Sequence, residues 1–277
     1  MIGRILSVSE SDSSSAAGIQ ADIKTVLALG GYATTAVTCV LAQSTKGAAS
    51  SRVMEPAFVV EQMRAVLNDI GTDAIKVGFL NNRQMIDAVA DVLDEYQNKN
   101  IPVVIDPSIV LRNGQVLVDE LAVAAWKRRL YIRATVLTPN LREAEVLTGM
   151  HIKDIDAMRH ATDMMRTLGV ENVVLKAGQA ISDKLVYFVA NDDGEKVYER
   201  PRIDTGNTLG AGGTLSTAIA VSLAQGLNIH EAVERSLDYL QRAMESAQSA
   251  VVNGPMNHAF HINKNQAFYN VPTAKSR

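Results

Sequence analysis

Short apolar runs alternate with longer amphipathic stretches along most of this chain, and that alternation indicates a fold class before any single residue is considered. The runs at 4–8, 33–41, 74–77, 103–105, 135–137 and 173–175 are short and apolar, and read as buried strands. Between them, apolar residues recur at helical spacing over 18–29, 57–70, 83–99, 120–129, 142–148 and 157–168. Strands and helices taking turns in this way predict an α/β fold of three layers, with a central, mostly parallel sheet covered by helices on both faces. Two alternating segments, 184–189 and 196–200, flank Asn191-Asp192-Asp193-Gly194 and predict a hairpin at a sheet edge. Helical patterns at 212–225 and 229–251 close the fold. One domain over 1–262 is expected, followed by a loosely held tail over 263–277.

Composition agrees with that picture and narrows the partners. With 277 residues, 47% apolar and 21% charged, the chain has enough apolar material for a large core. Its net charge is −3 and no run of Lys or Arg forms a basic stripe, which argues against nucleic acid as a partner. No apolar stretch is long enough for a bilayer span, and the start, Met1-Ile2-Gly3-Arg4-Ile5-Leu6, reads as a strand rather than a signal peptide. A cytoplasmic protein without membrane partners is expected. The single cysteine, Cys39, lies in the apolar run Thr38-Cys39-Val40-Leu41 and reads as a buried structural thiol.

The candidate chemistry gathers at the ends of predicted strands, where open α/β sheets bind their ligands. The segment Asp204-Thr205-Gly206-Asn207-Thr208-Leu209-Gly210-Ala211-Gly212-Gly213-Thr214 leads into a helix. Gly210 and Gly212 let backbone approach an anion closely, and the helix turns its free N–H groups toward the same point. A plain glycine-rich turn is the competing reading, and the segment lacks the Gly-Lys-Ser/Thr ending of a Walker loop. In Thr138-Pro139-Asn140-Leu141-Arg142-Glu143, the Asn140 and Glu143 spacing is that of a helix cap. The same amide and carboxylate, beside an anion site, suit water around Mg²⁺. Asp106-Pro107, Lys176-Ala177-Gly178 and Gly18-Ile19-Gln20-Ala21-Asp22 also stand at predicted strand ends or at the first helix start. Singly they read as a turn former, a solvated charge and a helix-start carboxylate; together they favour one site.

Several of these motifs form a familiar series. Gly18-Ile19-Gln20-Ala21-Asp22, Ala42-Gln43-Ser44-Thr45, Lys76-Val77-Gly78, Ile105-Asp106-Pro107, Leu137-Thr138-Pro139-Asn140, Gly210-Ala211-Gly212 and Gly254-Pro255-Met256-Asn257-His258 stand in one order. In that order the chain resembles the hydroxymethylpyrimidine/phosphomethylpyrimidine kinases of thiamin biosynthesis, within the ribokinase superfamily. The resemblance implies a ribokinase-like fold, ATP and Mg²⁺ as cofactors, a small heteroaromatic substrate and a homodimer. By position it sets Gln43 against the pyrimidine, Asp22 beside the substrate's polar edge and Phe79 next to the ring, with Gly18 and Asp106 also on the substrate side. It assigns Mg²⁺ to Glu143 and Asp106 with Asn140, and the nucleotide phosphates to Lys176. Thr208, Gly210, Ala211, Gly212 and Gly213 form the implied anion hole. Pyridoxal kinase is the alternative with the same chemistry.

Two departures stand out against the family pattern. Where the family places Cys, and ribokinases Asp, to take the substrate hydroxyl proton, this chain has Gly213, which offers only a backbone N–H. Glu10, Ser15 and Ala16 occupy positions where the pattern has glycine. These changes imply either a slowed kinase or a catalytically inactive relative that binds a ring or nucleotide.

Overall fold

The computed structural model describes residues 2–111, 114–178, 180–247 and 254–261. The first apolar run becomes β1 (Arg4–Asp12), which continues past the expected end through Ser9, Glu10 and Ser11 because it keeps pairing with its neighbour. After it come α1 (Gly18–Ala28), β2 (Tyr32–Ser44), β3 (Gly47–Val53), α2 (Pro56–Asn68), β4 (Ala74–Val77), α3 (Arg83–Glu95) and β5 (Val103–Ile105). The chain goes on through α4 (Glu120–Ala125), β6 (Val136–Leu137), α5 (Leu141–Thr148), α6 (Ile155–Thr167), β7 (Asn172–Gly178), β8 (Leu185–Asn191) and β9 (Gly194–Arg200). It then forms α7 (Ala211–Ala224) and α8 (Ile229–Glu245).

The strands make one nine-stranded sheet in the order β3-β2-β1-β4-β5-β6-β7-β8-β9. From β2 across to β7 every pairing is parallel, while β3, β8 and β9 pair antiparallel at the two edges. The chain winds from β1 outward to β2 on one side, then returns to β4 on the other. That reversal opens a crevice at the carboxyl ends of β1 and β4, the place where sheets of this kind hold ligands.

Alternation of side chains along the strands supplies two cores. Leu6, Val8, Ile75, Val77 and Ile105 pack with Met63, Ile86, Val89 and Trp126 beneath α2, α3 and α4. On the other face Ile5, Val104, Val136 and Val174 pack with Val26 of α1, Leu215 and Ile219 of α7 and Leu237 of α8. The expected hairpin is present as β8 and β9, paired in full register from Leu185↔Arg200 to Asn191↔Gly194. The helical pattern at 120–129 is α-helical only to Ala125, after which Trp126–Leu130 widens into a π-helical turn. Strand β3 had no apolar signature: all its residues are exposed, and backbone pairing with β2 makes the strand. The tail at 263–277, and the end of the helical pattern at 248–251, lie outside the described residues.

Gly210 is where the fold and the glycine-rich segment meet. It precedes α7 with φ +83°, and a Cβ built on it would stand 1.8 Å from the carbonyl oxygen of Ala16. Loop 13–17 is therefore pressed against the start of α7. Gly226 has φ +91° but open space around it. Gly226→Ala carries only the left-handed strain of about 1–2 kcal/mol, whereas Gly210→Ala adds a backbone collision. Urea denaturation of the two variants is expected to show the larger loss at Gly210; equal losses would show that the contact with Ala16 is not tight.

Candidate active site

Two residues beyond the apolar positions that face α1 and α7, the central strands turn polar on the same face. Ser7 on β1, Lys76 on β4, Asp106 just after β5, Thr138 just after β6 and Lys176 on β7 make this row. Lys76 is 2% exposed, inside a strand whose four residues are all buried. It survives there because Asp22, on α1 and 1% exposed, accepts from its Nζ at 2.9 Å. The hydroxyls of Ser7 and Thr217 also donate to Asp22, at 2.5 and 2.6 Å. One carboxylate thus joins β1, β4 and α7.

A second pair lies further along the row. Lys176 Nζ donates to Asp106 Oδ1 at 2.7 Å, and Thr138 Oγ1 reaches the same oxygen at 3.3 Å. Ser108 Oγ donates to Asp106 Oδ2 at 3.1 Å. Thr138 also bonds Ser216 of α7, at 2.8 Å. Burial opposes ionisation of Asp106, but the ammoniums of Lys176 and Lys76 outweigh it and hold the carboxyl below its ordinary value. Burial likewise opposes the charge on Lys76, and Asp22, Asp106 and Glu10 together overcome it.

Two other carboxyls are less well compensated. Glu143 is 2% exposed and completes a capping box with Asn140 at the start of α5. Burial pushes its carboxyl up to about 7, with Lys176 opposing and Asp106 adding to the rise. Glu10 is partly buried, and its carboxylate accepts from Ser9 Oγ at 2.5 Å. Its pKa is raised by burial, against the pull of Lys76.

Beside the row lies a cleft of about 680 Å³, lined by Asn140, Arg142, Lys176, Thr208, Gly210, Ala211 and Gly212, with Leu240 and Met244 as apolar wall. The glycine-rich segment ends here. Gly210 gives α7 no side-chain cap, and the first N–H groups of a helix lack intrahelical partners, so the positive end of α7 faces this region. Lys176 stands close by: a Cβ on Gly212 would lie 3.1 Å from its Nζ. Backbone donors, a helix dipole and an ammonium converge there, which is an arrangement for binding anionic oxygens.

The expected site residues divide into groups. Asn140, Lys176, Thr208, Gly210, Ala211 and Gly212 line the cleft, while Asp106 stands just beyond it on the Lys176 ammonium and Gly213 faces Asp106 and the Lys76 ammonium. Gly18, Gln43 and Phe79 gather on the side of β1, β2 and β4. Gln43 Nε2 donates to Asp12 at 3.1 Å, the Phe79 carbonyl accepts from Thr38 at 3.0 Å, and Gly18 sits over the Glu10 carbonyl with φ +58°. Asp22, expected beside the substrate's polar edge, lies beneath the row on α1. Its oxygens are buried under three donors, and it anchors Lys76. Asp106, expected at the metal, has Oδ1 bonded to the Lys176 ammonium. Among the described residues no group of three or more His, Cys, Asp or Glu side chains forms a metal cage. Lys76 belongs to the row, and Thr217 of α7 bonds its partner Asp22, although no role was read for either; a lysine inside the apolar run Ala74-Ile75-Lys76-Val77 was the available signal.

Comparisons with known proteins find relatives along most of the chain. A family model described as phosphomethylpyrimidine kinase matches residues 12–257. The thiamine biosynthesis bifunctional protein of Geobacter sulfurreducens is 40% identical over 92% of this chain, which spans 52% of that longer relative. The hydroxymethylpyrimidine/phosphomethylpyrimidine kinase of Synechococcus elongatus is 37% identical, covering 93% of this chain and 97% of its own. Among solved structures, the ADP complex of Bacillus subtilis pyridoxal kinase superposes with a TM-score of 0.86 at 31% identity, covering 94% of this chain and 98% of that one.

Glu143 offers a test of the electrostatics. Its carboxyl is raised from an ordinary 4.5 to about 7, so the proton it holds favours the folded state below pH 4.5, and that contribution is lost as pH climbs through 7. Glu143→Gln keeps a capping side chain and removes the titration. Between pH 5 and pH 8 the ligand-free protein is expected to lose about 1–3 kcal/mol relative to the variant, read from urea midpoints. Parallel curves for the two proteins would contradict the raised carboxyl.

Proposed function

The chain belongs to the phosphomethylpyrimidine kinase family, and we propose that it transfers the γ-phosphoryl group of ATP to hydroxymethylpyrimidine, to its monophosphate, or to both. The observation that carries this reading is the convergence of Lys176, the glycine-led start of α7 and the row of buried charges on one cleft edge. Phosphoryl transfer asks little covalent chemistry of the protein and depends on positioning and on charge stabilisation. In the proposal, the cleft holds the nucleotide, with Leu240 and Met244 as apolar wall and Thr208 and Asn140 among its polar contacts. Lys176 and the N–H groups of Gly212 and Gly213 stabilise charge on the transferring group. The ring lies on the side of Gly18, Gln43 and Phe79.

The residues suit Mg²⁺ as well. Glu143 is a buried oxygen donor whose raised carboxyl reflects incomplete compensation by cations. A divalent ion held through water by Glu143 and Asn140 would supply that compensation and neutralise phosphate charge when bound. A second reading, pyridoxal phosphorylation, is favoured by the likeness to Bacillus subtilis pyridoxal kinase. The two substrates share a heteroaromatic ring with a hydroxymethyl arm. A cytoplasmic homodimer forms part of the proposal, and it is supported by β3, an exposed edge strand whose outer backbone groups suit pairing with another chain.

Single-turnover phosphorylation with Mg-ATP tests the reading. Product is expected from hydroxymethylpyrimidine, and faster than from pyridoxal. Lys176→Gln is expected to slow the step about 10²-fold, in line with loss of one charge-stabilising donor. Pyridoxal as the faster substrate would move the assignment to the second reading. No product from either ring, with ring or nucleotide binding still measurable, would overturn the kinase assignment.

A further inference from the structure

The space that Gly213 leaves open is walled by charged groups. Gly213 is the third residue of α7, and a Cβ built on it meets only Asp106 Oδ2 at 3.8 Å and Lys76 Nζ at 3.9 Å among atoms within 4 Å. The absent side chain is the one the family places to take the hydroxyl proton, so a carboxylate oxygen of another strand borders that same space. We propose that Asp106, through Oδ2, is the proton acceptor for the substrate hydroxyl in this chain. The inference rests on the kinase reading and adds to it a catalytic residue that the helix does not carry.

The other carboxylates nearby are committed. Both Asp22 oxygens take hydrogen bonds from Ser7, Lys76 and Thr217. Asp12, the last residue of β1, is held by Ser14, the Ala17 N–H and Gln43. Glu10 is bonded to Ser9, and Glu143 caps α5. Asp106 divides its oxygens differently. Among the described residues, Oδ1 takes Lys176 and Thr138, while Oδ2 takes one bond, from Ser108 at 3.1 Å. A carboxylate oxygen has two acceptor directions, which leaves one on Oδ2 for a hydroxyl. Lys176 lies against the carboxylate, and Lys76 borders the same space. They weaken it as a base, which a loose phosphoryl-transfer transition state tolerates.

The hydroxymethyl oxygen forms a bond to the γ-phosphorus as the bond from that phosphorus to the bridging oxygen breaks, its electron pair leaving with ADP. The hydroxyl proton passes to Asp106 Oδ2 and then to solvent as products depart.

The test is single-turnover phosphorylation of hydroxymethylpyrimidine by Mg-ATP in the natural chain, Asp106→Asn, and Asp106→Asn combined with Gly213→Cys, with thermal melting and ADP binding to establish that each is folded. Asp106→Asn is expected to slow the step about 10²-fold or more. Adding Gly213→Cys is expected to recover at least tenfold, with a new rise in rate as the thiol ionises near pH 8.5; a purely structural role for Asp106 gives no such rescue. A double variant no faster than Asp106→Asn overturns the inference while leaving the kinase reading intact. Should Asp106→Asn not fold, the natural chain decides through its rate between pH 7.5 and pH 9. A level rate fits an ionised carboxylate acceptor, and a tenfold rise per pH unit, the mark of hydroxide doing that work, overturns it. A natural chain that forms no product at all overturns the kinase reading and this inference with it.

Discussion

A lysine in the middle of a buried strand is the constraint around which this molecule is arranged. Removing the Lys76 ammonium from water is costly, and the cost is met only because Asp22 lies 2.9 Å away with Asp106 and Glu10 adding attraction. Deleting one member of such a pair leaves an uncompensated buried charge, at about 3–5 kcal/mol. Each group that satisfies the pair comes from a different element: Ser7 from β1, Asp22 from α1, Lys76 from β4 and Thr217 from α7. The pair therefore fixes how α1 and α7 sit on the sheet. Gly78 has to be glycine for the same reason, since a Cβ there would stand 2.1 Å from Ser9 Oγ and 2.9 Å from Lys76 Nζ.

Once α7 is fixed, its first turn is fixed too. Thr138 ties Ser216 to the end of β6, and Thr214 bonds Nε2 of buried His258 at 2.9 Å. Burial, helped by the Lys24 charge, pushes that imidazole down to about 4, so it serves as a neutral strut near pH 7. Positive charge at Lys176 and at the start of α7 is thereby aimed at the cleft without any loop movement. Negative charge is in surplus behind it, and the raised carboxyls of Glu10 and Glu143 are the measure of that surplus. In the proposed function, polyphosphate and a cation would offset that surplus when bound.

Much of the sheet was legible from apolar patterning, because the buried strands carry their signal in side chains. β4 and β5 appear with the bounds the pattern predicts. Strand β3 was not legible, since Gly47-Ala48-Ala49-Ser50-Ser51-Arg52-Val53 has no buried face and is held by backbone pairing alone. The cleft residues were readable from the glycine spacing and, more sharply, from family resemblance. The exchange of partners inside the polar row was not. Spacing along a chain does not say that Asp22 and Lys76, 54 residues apart, form one ion pair. Nor does it say that the space beside Gly213 is bordered by the carboxylate of Asp106, just after β5. Those facts depend on which residues of parallel neighbours stand level, and on the two-residue period that turns Ser7, Lys76, Asp106 and Lys176 to one face.

The central claim is that this row and the start of α7 form a single phosphoryl-transfer site. A crystal structure with hydroxymethylpyrimidine, Mg²⁺ and a non-hydrolysable ATP analogue tests it most directly. The account predicts the terminal phosphate at the first turn of α7 within hydrogen-bonding reach of Lys176, and the hydroxymethyl oxygen between Gly213 and Asp106 Oδ2. A terminal phosphate bound away from Lys176 and α7, or a hydroxymethyl group turned away from Asp106, would contradict it.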